Sequence, residues 1–256
     1  MTRRTFAATL AAGACLRAQT SQEKGRKIID QTIDALGGDG FRYMQTRVER
    51  GRAYSFYLEQ ISGLEIATIY TKYTTTGEVQ RQAFGKKQDD WILLTDTLAY
   101  EISYRGARPL GDDRLKQFHE STLHDVFYIL RMRLNEPGMA FEARGIDVVE
   151  NQPVHVVDIY DSENRNVTVW INSDTFLPVR QRFLRWDPIV NLRREEVARF
   201  TKYRQAGNGV VWPHETQRDR DGEKTFVLYS ERVSVGDELK DGMFEMPAGV
   251  KILNKK

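Results

Sequence analysis

PVHVVDIY (residues 153–160), NVTVWIN (166–172), PVRQRFLRW (178–186), EVARFTKY (196–203), VVWPHETQ (210–217) and KTFVLYSER (224–232) follow one another, punctuated by DSENRN (161–166), SDTF (173–176), AGNG (206–209) and DRDG (219–222). Short runs rich in β-branched and aromatic residues, joined by Asn, Asp, Gly and Ser clusters, read as strands of an antiparallel meander. Val167, Val169 and Ile171 face one way, opposite Thr168 and Trp170. Phe226 and Leu228 oppose Val227 and Tyr229, so that strand is less one-sided. A meander builds a surface, and this one carries no nucleophile, metal cluster or phosphate loop. The stretch points to binding.

Working outward, Ile28, Ile29, Ile33 and Leu36 recur at helical spacing, which predicts a helix over 21–36 with Ser21 as cap and Gly37-Gly38 as stop. Strand patterns follow at 46–58 and 64–73, with Ser62-Gly63 as the turn between them, and then at 78–84 and 91–94. The segment 98–104 alternates cleanly, with Leu98, Tyr100, Ile102 and Tyr104 on one face. The period then changes. A helix capped by Asp112 or Asp113 is expected to run to Leu134, with an apolar face of Leu115, Phe118, Leu123, Val126, Phe127, Leu130 and Leu134, and Asn135-Glu136-Pro137-Gly138 ends it.

No Pro-, Gly- or Ser-rich linker divides the chain, so 19–256 reads as one domain. The expectation is a mainly β, α+β fold: a curved antiparallel sheet of about ten strands, since twist curls large sheets toward a barrel. Helices laid across its concave face would form a hydrophobic cleft with a helical lid. The residues expected to contact an apolar ligand there are Leu98, Tyr100, Ile102, Val167, Val169 and Ile171.

The 256 residues are 40% apolar and 11% aromatic, with 38 basic against 36 acidic side chains and no block of like charge. That balance offers nothing to nucleic acid. Residues 1–18 differ in kind: Arg3 and Arg4 precede a short acid-free apolar run, as in an export signal of general or twin-arginine type. Cleavage after Ala14 would leave Cys15, the only cysteine, at the new N-terminus, where Ala12-Gly13-Ala14-Cys15 resembles a lipidation site; cleavage after Ala18 would discard it. The expected location is the periplasm, membrane-anchored if Cys15 is lipidated.

Chemistry is hard to place. His119 and His124 are five apart, out of step with an i, i+4 ligand pair, and His155 and His214 stand alone, so no metal site is expected. Adjacent carboxylates such as Asp89-Asp90 and Glu195-Glu196 point to opposite faces of a strand. No nucleophile elbow, Walker loop or dinucleotide fingerprint occurs, and no cofactor is expected.

Four stretches resemble the LolA/LolB-like outer-membrane lipoprotein-sorting superfamily: GRKIIDQTIDALGG (25–38), VHVVDIYD (154–161) leading into VTVWINSDTFLPVRQRF (167–183), YRQAGNGVVWP (203–213) and MFEMP (243–247). The resemblance implies a half-barrel closed by helices around a cavity that shields acyl chains, and it transfers no catalytic residue. The resulting expectation is an exported, non-enzymatic, monomeric protein that binds a lipid or lipidated protein. The second reading is an envelope signalling module that binds a regulator peptide on the same fold.

Overall fold

The computed structural model describes residues 19–187 and 191–254; residues 1–18, expected as an export signal, and Cys15 among them lie outside the described residues. Helix α1 (Ser21–Leu36) is capped by Thr20, one residue before the expected cap Ser21. Thr20 Oγ1 accepts from the Glu23 N–H at 3.1 Å, and the Glu23 carboxylate accepts from the Thr20 N–H at 2.8 Å. That reciprocal pair satisfies two amide donors at the helix entrance. Gly37, at φ 121°, closes the helix, and a one-turn helix α2 (Asp39–Arg42) follows.

The sheet then runs β1 (Thr46–Tyr57), β2 (Gln60–Tyr73), β3 (Glu78–Phe84), β4 (Asp90–Leu94), β5 (Ala99–Ser103) and β6 (Gly106–Pro109). It resumes with β7 (Ala140–Val149), β8 (Gln152–Tyr160), β9 (Asn166–Asn172), β10 (Pro178–Asp187), β11 (Leu192–Gln205), β12 (Val211–Arg220) and β13 (Glu223–Val235). These thirteen strands form one open antiparallel sheet in the order β6-β5-β4-β3-β2-β1-β13-β12-β11-β10-β9-β8-β7. The 153–233 ladder is β8 to β13, every step a hairpin to its neighbour.

Thirteen strands replace the expected ten or so; the two that the sequence reading did not single out are the edge strands β6 and β7, neither of which alternates cleanly. The β1–β2 turn also differs. It falls at Leu58-Glu59, both at positive φ (48° and 62°), the two-residue geometry whose twist suits a hairpin. Ser62-Gly63 lies within β2, where a register shift beside Ser55 absorbs it.

Between β6 and β7 the chain is helical, in two pieces instead of one. Helix α3 (Asp112–Leu123) buries none of its side chains, and its cap is Gly111, with Asp112 and Asp113 in the first turn where the helix dipole favours acids. The break comes at His124-Asp125. Asp125 caps α4 (Val126–Tyr128) by accepting from the Tyr128 N–H at 3.0 Å, and Gln181 of β10 accepts from the Val126 N–H at 2.8 Å. Helix α4 continues as a π-helical turn through Ile129–Arg133.

The buried apolar residues of this connection lie in the second piece: Val126, Phe127, Ile129, Leu130 and Leu134. They pack with Ile29, Ile33 and Leu36 of α1 onto β8 to β12, through Val157, Ile159, Val169, Phe200 and Trp212. The opposite face of β3 to β6 has its own cluster of Val79, Leu93, Ile102, Ala107 and Phe244, covered by the C-terminal segment. That segment also shields the β6 edge, since Ala107 exchanges backbone hydrogen bonds with Lys251 and Leu253, both at 2.8 Å.

Two contacts tie helix to sheet closely. Gly25 of α1 rides on β7 so tightly that a Cβ would lie 2.2 Å from the Phe141 carbonyl oxygen. Arg133 Nη2 meets Asp161 Oδ2 at 2.9 Å with both side chains buried, and Arg165 Nε meets the same oxygen at 2.7 Å. Burial alone would raise the Asp161 pKa, but these hydrogen bonds hold it at about 2.

Gly25→Ala should therefore destabilise the protein by about 1–3 kcal/mol through overpacking. An exposed helical Gly→Ala change has the opposite sign, so denaturant unfolding distinguishes the two. Asp161→Asn leaves Arg133 without its buried counter-charge and should cost about 3–5 kcal/mol. The wild-type contribution is present above the ordinary carboxylate range near 3.8 and is lost as pH falls through about 2. Acid unfolding of the variant beside the parent checks both statements.

Candidate functional site

The part of the concave face not filled by α1 and α4 is a cleft of about 400 Å³ roofed by α3, within the ~300–1,000 Å³ common for small-molecule sites. Period-two alternation supplies the floor. Arg47 and Glu49 come from β1, Ile69 and Tyr73 from β2, and Glu78, Gln80 and Gln82 from β3. The other half comes from Gln181 and Phe183 of β10, then Glu196, Ala198 and Phe200 of β11. Thr216, Arg218 and Arg220 of β12 and Phe226 and Leu228 of β13 complete it. The roof is one helical face: Arg114, Gln117, Phe118, Ser121 and Thr122 recur at i, i+3, i+4, i+7 and i+8.

That roof shares only Phe118 with the apolar stripe read from the sequence. A smaller cavity of about 120 Å³ lies on the other side of Phe118 and Thr122 and also reaches Glu78. Voids on both sides of α3 fit its lack of buried side chains.

The inner end of the cleft is a charged network. The Arg47 guanidinium lies 2.8 Å from Glu49, donates to the Tyr73 hydroxyl at 2.5 Å, and stacks 4.3 Å above the Trp212 ring. Burial alone would lower the Arg47 pKa; the electrostatic pull of Tyr73, Glu49, Glu78 and Asp125 outweighs it and keeps the cation. Burial pushes the Tyr73 hydroxyl up, out of reach of physiological ionisation.

Glu78 accepts from Gln80 at 2.7 Å and from Thr122 of the roof at 3.4 Å. Burial raises its pKa to about 7, with Arg47 opposing and the Asp125 charge adding to the rise. Asp125 is likewise raised by burial, against the Tyr128 N–H and the charges of Arg218 and Arg47. Near the outer end, Glu196 is held by Arg185 at 3.0 Å and Arg220 at 2.8 Å.

None of the six residues expected from the sequence lines this cleft. Val167, Val169 and Ile171 are buried in the main core beneath the helices. Tyr100 and Ile102 belong to the cluster on the opposite face, because Tyr100 pairs with Leu93 and Ile102 with Trp91 on that side. Leu98 is exposed, in the turn where its carbonyl accepts from the Thr95 N–H.

The lining residues that sequence reasoning passed over are apolar ones such as Phe183, Phe200 and Phe226 and, beside them, polar ones. Glu78, Gln80 and Gln82 alternate as a solvent face would, and their role depends on α3 covering them. Of the four histidines, His124 and His214 are buried and bond backbone carbonyls, at 2.6 and 2.8 Å. No group of metal-ligating side chains converges among the described residues.

This architecture, an open antiparallel sheet with its concave face roofed by helices, has counterparts among solved structures. A DUF1329 family protein from Desulfovibrio piger superposes with a TM-score of 0.58 at 12% identity, covering 86% of this chain and 97% of that one. A Vibrio parahaemolyticus domain named for outer-membrane lipoprotein sorting gives 0.55 at 13% identity, covering 87% and 97%. The chain shares their fold. A LolA superfamily protein from Nitrosomonas europaea aligns over 86% of this chain with a TM-score of 0.47. No protein-family model and no curated protein matches the sequence. At such identities the likeness is one of fold alone.

The raised Glu78 pKa has a consequence for stability. Between the ordinary 4.5 and about 7 the folded protein binds more protons at this site than the unfolded chain, so stability falls as pH rises through that window. Glu78→Gln should flatten that fall. Thermal unfolding of parent and variant between pH 4.5 and 7.5 measures it, and an unchanged pH slope would contradict the assignment.

Proposed function

We propose that this protein is an exported, non-catalytic binding protein that holds a lipid, or the acylated end of a lipidated protein, in the α3-roofed cleft. The observation that carries this reading is the roof itself. A 12-residue helix lies across the concave face with none of its side chains fully buried. With Phe118 of that helix, Phe127, Phe183, Phe200, Phe226 and Leu228 line the cleft. Phe127, Phe183, Phe200 and Leu228 are themselves buried, so the apolar surface still open to a ligand is that of Phe118 and Phe226, worth about 25 cal/mol for each Å² removed from water.

The charged side chains at the inner end engage one another: Arg47 with Glu49 and Tyr73, Glu78 with Gln80 and Thr122. They therefore serve as a fixed floor. Kinship of fold with a domain named for lipoprotein sorting supports the same reading. No helix among the described residues is long and apolar enough to cross a membrane. Export would rest on residues 1–18, and anchoring on Cys15.

Mass spectrometry of solvent extracts from the protein isolated from its own envelope should recover lipid in near-stoichiometric amount. The delipidated protein should bind a fluorescent fatty acid. Ala198→Trp, which projects an indole into the cleft from β11, should weaken that binding at least tenfold while leaving a cooperative unfolding transition. No extractable lipid together with no probe binding would overturn the proposal.

A further inference from the structure

Among the described residues, two arginines of the cleft form no salt bridge. Arg218 projects from β12 in a row with Ala198 of β11 and Phe226 of β13, and Arg114 descends from the first turn of α3 to line the same cleft. Arg47 and Arg220, which also line it, each have a carboxylate within 3 Å. Among the described residues neither Arg114 nor Arg218 takes part in an ion pair. Both are exposed at the outer part of the cleft.

Enough protein surrounds the Arg114 guanidinium that desolvation, and then the Arg218 charge, lower its pKa. Two guanidiniums that repel across a cleft cost free energy until an anion sits between them. The other charges near by do not fill that role. Glu196 is taken by Arg185 and Arg220, and Asp125, which feels the Arg218 charge, is raised by burial and bonded to the Tyr128 amide.

We infer that Arg114 and Arg218 form an anion clamp that receives the phosphate of a single-chain amphiphile whose acyl chain lies over Phe226, Leu228, Phe200 and Phe118. The inference rests on the lipid-binding reading and narrows it to an anionic head. Guanidinium suits the task because its planar donors engage phosphate oxygens in pairs. The register supplies the apolar part: Phe226 is the direct cross-strand neighbour of Arg218, and Phe200 and Leu228 flank Thr216 in the adjoining row. An amphiphile can therefore meet the clamp and the aromatic floor together.

The test uses the delipidated mature protein and three probes: oleoyl lysophosphatidate, monoolein with the same chain and no charge, and inorganic phosphate. Lysophosphatidate should bind at least tenfold more tightly than monoolein, and the gap should narrow between 50 mM and 500 mM NaCl as the charges are screened. Arg114→Gln with Arg218→Gln should bring lysophosphatidate to the monoolein level, and Arg114→Lys with Arg218→Lys, which keeps the charge and loses the paired donors, should retain only part of the gap. Both residues are exposed, so unfolding temperatures should stay close to the parent and report that the variants fold.

Equal affinity for the two lipids, or a gap that survives the glutamine pair, overturns the clamp while leaving the lipid-binding reading intact. Inorganic phosphate that binds as tightly as lysophosphatidate assigns the arginines to a free anion and also overturns it. Binding of none of the three overturns the clamp and the lipid-binding reading together.

Discussion

The connection between β6 and β7 governs the rest of this structure. Strand order places these consecutive strands at opposite edges of a thirteen-stranded sheet. Between Pro109 and Ala140 the chain therefore has to travel from one edge to the other, and it can do so only across a face. A helical crossing satisfies its own backbone hydrogen bonds, which an irregular one on the sheet would not. The concave face is thus roofed because of the topology. How well the roof fits is a separate matter, and the His124-Asp125 break divides it into a tightly seated piece and a loosely seated one.

The loosely seated piece makes the cleft, and the polarity of the cleft follows from where the break falls. After Asp125, Phe127 and Leu130 fill the space over β8 to β12 as ordinary core. Before it, the face of α3 that looks inward carries Arg114, Gln117, Ser121 and Thr122 beside Phe118. Charged groups remain tolerable in such a place only when paired and hydrogen-bonded. Arg47 is paired with Glu49 and donates to Tyr73 and Thr71, with Trp212 under its cation, while its Nε is left without a hydrogen bond. Polar floor and aromatic wall together suit an amphiphile better than a bare hydrocarbon.

The similarity to solved structures is instructive because so little sequence accompanies it. At 12–13% identity over more than four-fifths of the chain, what persists is the course of the backbone. Burial constrains core positions to a hydrophobic class and leaves the residue free. The lining of a cleft is under no such constraint from the fold, so a shared architecture leaves open what each protein binds.

By itself, the sequence determined the helix at 21–36, the hairpin ladder from 153 to 233 and the mainly β, curved-sheet class, since those follow from local periodicity and turn chemistry. It under-read the edges: β6 is four residues long, and β7 leaves Ile146 and Val148 exposed, so neither shows the alternation of a half-buried strand. Only the tertiary structure decided which face of each strand meets the cleft. Tyr100 and Ile102 alternate as cleanly as any cleft-lining residue, yet the C-terminal segment packs on their side and makes it a core. Glu78, Gln80 and Gln82 look like a solvent face until a helix more than thirty residues later in the chain crosses above them. Period-two alternation specifies that a strand has two faces; which of them becomes core and which becomes site is set by the elements that arrive from elsewhere in the chain.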